Sequence, residues 1–239
     1  LGCLLPVLPV LLLEAQEPDN WTLESVLEKV EEANGGRAQF ERMTNVRMSG
    51  IVESGSEFHE FLLLRKRPDR LRLHLMMEGR KIEIIYNGEQ AWERISFRGE
   101  ERVREIPIQE LLQAGLDTDF DGPLIGDPGE NTRREFLGVE RLNRVDHLVV
   151  AVIDPYFHAR HYIDSRTFRV LFTEVRPVAA EEEAELVIRY SEYERIERLW
   201  MARKIRREYP DGRVETLIIE EAEVNPGILD RLFEPPAGS

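Results

Sequence analysis

The chain has 239 residues, 42% of them apolar and 33% charged, with a net charge of -14. That is enough apolar material for a sizeable core, so global disorder is excluded. The acidity also argues against a nucleic-acid binder, which needs a basic face, and against electrostatic docking on anionic lipid headgroups. Basic clusters such as "KIRREYPDGR" alternate with acids and fit solvated strand faces.

The first thirteen residues carry no charge, and the chain turns polar from Glu14. A bilayer crossing takes about 20 apolar residues, so this run is short for a span. It fits the hydrophobic region of a secretory signal peptide, with Ala15 as the last residue before cleavage and residues 16–239 as one exported domain. Pro6 and Pro9 make the segment a poor helix. The single cysteine, Cys3, lies inside it. The exported domain would therefore have no disulfide, thiol nucleophile or Cys-ligated metal. "LGC" at the start also has the form of a lipoprotein signal, which makes Cys3 a candidate for lipidation, although apolar residues continue beyond it where such proteins turn polar.

"DNWTLESVLEKVEEANGG" predicts an amphipathic helix capped by Asn20 or Thr22 and ended by Gly35 and Gly36, with Val26, Leu27 and Val30 on its apolar side. From about Gln39 the period becomes twofold, which predicts strands. "FERMTNVRMSGIVES" sets Val46, Met48 and Val52 on one face, and "EFHEFLLLR" follows. In "RLRLHLMM", Leu71, Leu73 and Leu75 alternate with Arg70, Arg72 and His74. "RKIEIIY" and "EQAWERI" come next, with Asn87 and Gly88 as the turn between them. "IPIQELLQAGL" predicts a short helix with Pro107 in its first turn, and "DGPLIGDPGEN" a loop. Seven further strand-like stretches fill residues 134–224, with a turn at Pro210, Asp211 and Gly212. Many strands at even spacing with little helix predict a mainly β (α+β) chain built on one antiparallel sheet, strongly curved or closed.

No constellation for catalysis stands out. The histidines are His59, His74, His147, His158 and His161, and their surroundings predict partly exposed strand positions. His158 and His161 are three apart, which opposes them across a strand, so a metal site is not expected. No G-x-S-x-G elbow and no Gly-rich phosphate cradle appears. The acidic run at 181–185 reads as a solvated loop. The expectation is a binding role without catalysis and without a cofactor.

"LRKRPDRLRLHL" and the later "YNGEQAW" resemble the paired-strand signature of the LolA/LolB-like periplasmic lipoprotein carriers. There Lys66, Arg67 and Pro68 precede a strand, and the turn of Asn87 and Gly88 precedes Trp92. The ending "NPGILDRLFEPPAG" is similar to that family's F-x-P-P-x-G tail, with Phe233, Pro235, Pro236 and Gly238. The resemblance covers roughly residues 23 to 238, and residues 98 to 145 match it least. It implies an incomplete β-barrel covered by a few helices, with an apolar cavity that receives acyl chains. Val46, Met48, Leu71, Leu73, Leu75 and Trp92 would line that cavity, and Arg67 would latch the lid by bonding helix backbone. Leu71 stands where the carriers have an aromatic residue. The partners implied are an acylated lipoprotein or lipid, an inner-membrane transporter or outer-membrane receptor, and no nucleic acid, with the protein a periplasmic monomer. The same half-barrel serves envelope sensors that bind a protein partner, and a surface lipoprotein anchored at Cys3 is a further alternative. For any single leucine, an ordinary filled core is the competing account.

Overall fold

The computed structural model describes residues 20–113, 116, 119–126, 128, 131–178 and 185–236. The signal-peptide expectation, Cys3, most of the acidic run at 181–185 and Gly238 lie outside them. The described chain begins with α1 (Leu23–Asn34) and α2 (Arg37–Arg42) and continues through β1 (Asn45–Ser54), β2 (Glu57–Lys66), β3 (Arg70–Met77), β4 (Arg80–Tyr86), β5 (Ala91–Phe97) and β6 (Glu100–Ile106). After α3 (Ile108–Gln113) come β7 (Arg133–Leu142), β8 (Val145–Ile153), β9 (Phe157–Asp164), β10 (Val170–Pro177), β11 (Leu186–Ile196), β12 (Leu199–Glu208) and β13 (Val214–Val224). A 3-10 turn, Asp230–Phe233, closes it.

All thirteen strands form one antiparallel sheet in the order β6-β5-β4-β3-β2-β1-β13-β12-β11-β10-β9-β8-β7. Consecutive strands pair with each other except β6 and β7, which lie at opposite edges, and the two runs join at the centre, where β1 meets β13. The sheet is open, with β6 and β7 as its edges, and its curvature makes it the half-barrel the sequence predicts. None of the described helices is long and apolar enough to cross a membrane.

The face that carries the helices is the inner one. Thr22 caps α1: its side chain accepts from Ser25 N–H at 3.2 Å, and Ser25 Oγ accepts from Thr22 N–H at 2.9 Å. Val26 and Val30 are buried against Leu148, Val150 and Val152 of β8 and Ala159 and Ile163 of β9. Each such valine contributes roughly 1.5–3 kcal/mol, which fastens α1 to the β7 end of the sheet. Gly35 ends α1 with φ +133°, and a Cβ there would sit 2.7 Å from the Arg198 carbonyl, so glycine answers both the turn and the close approach. At the other end α3 covers the sheet, with Leu111 and Leu116 packed on Leu71, Tyr86, Ala91 and Ile106. A third cluster joins Met43, Val46, Phe120 and Leu199 between them.

Two elements differ from the sequence reading. Residues 37–42 are helical instead of the start of a strand, because Met43 N–H still closes helical bonds to Gln39 and Phe40 at 3.1 Å. β6 lies in a stretch of seven residues with five charges, the composition of an exposed edge strand. The histidines also differ. His59 and His161 are buried on the inner face among apolar neighbours, His147 is buried on the outer face beside Tyr162 and Phe172, and only His158 is exposed.

Candidate functional site

The register decides which side chains face inward. Met48 pairs with Leu63, Leu63 with Leu73, and Leu73 with Ile84, so these four share the inner face across β1 to β4. Leu75 continues the same row, opposite Phe61 and Ile82. Phe61, Leu63, Leu73, Leu75 and Ile84, together with Val52, Met77 and Leu217, line a cavity of about 410 Å³ between the sheet and Leu116. Its polar lining includes His59, Arg207, Tyr209, Arg213 and Glu215 near the hairpin ends. Three of them bond to one another. Tyr209 donates to Glu215 at 2.8 Å, Arg213 pairs with Glu215 at 3.3 Å, and its guanidinium lies 4.0 Å from the Tyr209 ring. The cavity thus has hydrocarbon walls and a bonded polar rim.

Two smaller cavities continue along the inner face. One of about 320 Å³ is bordered by Met48, Trp200, Met201, Ile205 and Ile219, beneath Val30 of α1. The other, about 110 Å³, is bordered by Leu112, Leu116, Val175, Leu186 and Ile188. Leu116 borders both the first and the third cavity, and Pro123, His161 and Tyr190 border the second and third. The inner face therefore carries a chain of apolar spaces from β3 to β10.

The expected lining residues divide among three settings. Leu73 and Leu75 border the first cavity and Met48 the second. Leu71 and Val46 are buried in the packed clusters beside them, at 2% and 4% exposure. Trp92 departs from the expectation. It pairs with Ile85, which pairs with Arg72, and that row faces the outer side of the sheet, away from the cavities. Its motif position after the turn is as read, but alternation from Ala91, which is packed inside, turns the indole outward.

Arg67 stands just after β2. Its Nε donates to Met43 carbonyl and one terminal nitrogen to Phe40 carbonyl, both at 2.8 Å, and the other pairs with Asp121 at 2.7 Å. The guanidinium also lies 4.7 Å from the Phe120 ring. Arg65 donates to Asp119 carbonyl, and Asp69 accepts from Phe120 N–H at 3.1 Å. The alternating residues Arg65, Arg67 and Asp69 therefore all hold the 119–121 segment. The intervening ones hold the tail on the outer side. Lys66 donates to Ile228 carbonyl at 2.7 Å and pairs with Asp230 at 2.9 Å, Arg70 also pairs with Asp230, and Arg72 donates to Leu232 carbonyl at 2.6 Å. Phe233 is buried there with Leu64 and Ile228. Both pieces of the resembling motif are tied into one fastening, inside and outside.

The outer face also holds an ionic cluster. Glu83, 1% exposed, is met by Arg72 at 3.1 Å, Lys81 at 3.1 Å, His74 at 2.8 Å and Arg94. Burial alone would raise its pKa, but bonds from Lys81, Arg72 and Arg94 outweigh that and lower it to about 2. His74 is lowered by burial, against the pull of Glu83. Glu83 carries no distinguishing signal in the sequence, because a charge on alternate strand positions looks like any solvated face. No group of three or more His, Cys, Asp or Glu side chains with metal-binding geometry occurs among the described residues.

No family model matches the chain, and no curated protein matches it by sequence. Solved structures do match. A LolA superfamily protein from Nitrosomonas europaea superposes with TM-score 0.64 at 16% identity, over 90% of this chain and 98% of that one. A DUF1329 family protein from Desulfovibrio piger gives 0.62 at 12% identity, over 89% and 97%. A domain from Vibrio parahaemolyticus named for outer membrane lipoprotein sorting gives 0.57 at 14% identity, again over 89% and 97%. At these identities the likeness is one of fold: the chain has a LolA-like fold.

Proposed function

We propose that this LolA-like half-barrel is an exported, non-catalytic carrier that sequesters the acyl chains of a lipid or lipoprotein on its inner face. The observation that carries the proposal is the 410 Å³ cavity with walls of Phe61, Leu63, Leu73, Leu75 and Ile84. Each methylene moved from water into such a space gains about 0.8 kcal/mol, so an acyl chain binds strongly without any specific polar contact. The polar rim at the hairpin ends suits a ligand whose headgroup stays near water. In this reading Arg67 is the latch: it holds α2 and the 119–121 segment over the inner face. The periplasm is the compartment proposed, and a membrane transporter that loads the carrier or a receptor that empties it are the partners proposed.

Leu73→Glu and Leu75→Glu test the reading. A buried carboxylate in the wall disfavours hydrocarbon, so both variants should lose copurifying lipid, while circular dichroism and melting show a retained fold. Folded variants with unchanged lipid content would show that these leucines do not line the ligand site.

A further inference from the structure

His161 sits on β9 where the second and third inner cavities meet, bordering both. It is 5% exposed, and its Nδ1 lies 2.9 Å from Thr173 Oγ1, itself 2% exposed. Its Nε2 has no hydrogen-bond partner among the described residues. Buried polar atoms are bonded in the great majority of cases, so an unmatched ring nitrogen beside an apolar cavity points to a ligand atom. The Thr173 hydroxyl has one proton to give. With that proton directed to Nδ1, the neutral ring carries its own hydrogen on Nε2 and acts as a donor.

We propose, on the footing of the carrier reading above, that His161 Nε2–H is the polar anchor of the inner cavities and donates a hydrogen bond to the carbonyl oxygen of a bound acyl group. The chemistry recognised is the carbonyl, whether of a free fatty acid or of an acyl ester. The hydrocarbon beyond it lies against Met48, Ile205 and Ile219 on one side or Leu186 and Ile188 on the other. Burial, aided by the charge of Arg134, lowers the ring's pKa to about 4, which keeps it a neutral donor at ordinary pH. The anchor would make the site prefer acyl compounds to bare hydrocarbon of the same length, a discrimination the leucine walls cannot supply.

The test uses the full chain, delipidated, with methyl dodecanoate, dodecanoic acid and dodecane as probes, measured by displacement of a fluorescent fatty acid. The wild type should bind the ester, the acid or both more tightly than dodecane. His161→Phe should lower that preference about tenfold, the scale of one hydrogen bond, and leave dodecane binding unchanged. His161→Gln, which keeps a donor, should restore part of it. In parallel, the Nε2 resonance of the ¹⁵N-histidine-labelled wild type should shift on adding ester or acid and stay put with dodecane, an arm that stands even where a variant fails to fold. Preference for the acid alone assigns a free fatty acid as the source of the carbonyl; preference that includes the ester assigns an esterified chain. Equal binding of all three probes, or a resonance indifferent to them as a bound water alone would leave it, overturns the anchor while the carrier reading stands. Binding of none by the wild type overturns both.

Discussion

Loss of Arg67 should be felt far from its own position, because three of its contacts lie on other elements. Arg67→Met removes the bonds to Phe40 and Met43 and leaves the half-buried Asp121 without its cation. The expected cost is about 2–3 kcal/mol, read as a lower denaturation midpoint, together with faster amide exchange in α2 and at 119–121. Arg67→Lys should recover little, since one ammonium cannot reach both carbonyls and the carboxylate. An equal loss in exchange protection across the whole sheet would show Arg67 as a general support rather than a latch. Two buried titratable groups give opposite faces of the sheet their own pH signatures. Glu83 has its carboxyl lowered from 4.5 to about 2, so its contribution is present above pH 4.5 and fades as pH falls toward 2. That contribution is at most about 3 kcal/mol, less what solvent around Lys81 screens. His161 is lowered from 6.5 to about 4, so the unfolded chain protonates first and stability falls as pH drops from 6.5 toward 4. Glu83→Gln should therefore flatten the stability curve below pH 4.5, and His161→Gln should flatten it between 6.5 and 4. Unfolding titrations of each variant across that range check both, and a slope that neither substitution changes would contradict the assignment.

Elements with a clear period were legible in the sequence. Leu71, Leu73 and Leu75 are strand residues facing inward as their alternation requires, and Thr22, Val26 and Val30 build α1 as the capped, amphipathic pattern predicts. What escaped was set by neighbours rather than by local pattern. β6 shows five charges in seven residues and needs β5 beside it to be a strand. Trp92 reads inward or outward depending on one residue of register, which only the pairing of Ile85 with it decides. The inner cavities needed the meeting of β1 with β13, a contact between the first and last strands in sequence that no local signal marks. That junction has its own test. Gly50 lies at an irregularity in β1, and a Cβ there would come within 2.0 Å of the Ile218 carbonyl and 2.9 Å of Glu220 nitrogen, both backbone. Gly50→Ala should force the two strands apart and cost about 3 kcal/mol or more, measured by chemical denaturation. A near-neutral result would mean that the strands at this bulge separate without effort.

A half-barrel of thirteen strands keeps its inner face from water only in part. α1 seals the β7 end and α3 with Leu116 the β6 end, while the spaces between are lined by Leu63, Leu73, Met48, Ile205 and Ile188. Close-packed interiors leave few voids larger than a water molecule, so apolar spaces of about 410 and 320 Å³ on one face are out of keeping with a core that exists only to stabilise the fold. Under the proposed function, hydrocarbon belongs in them. The measurement that addresses it most directly is organic extraction of the chain after export to a bacterial periplasm and purification without detergent, followed by mass spectrometry of the extract. The expected extract holds a stoichiometric fatty acid, phospholipid or acylated peptide. A well-folded protein that yields no lipid and ignores an added fluorescent fatty acid would contradict it.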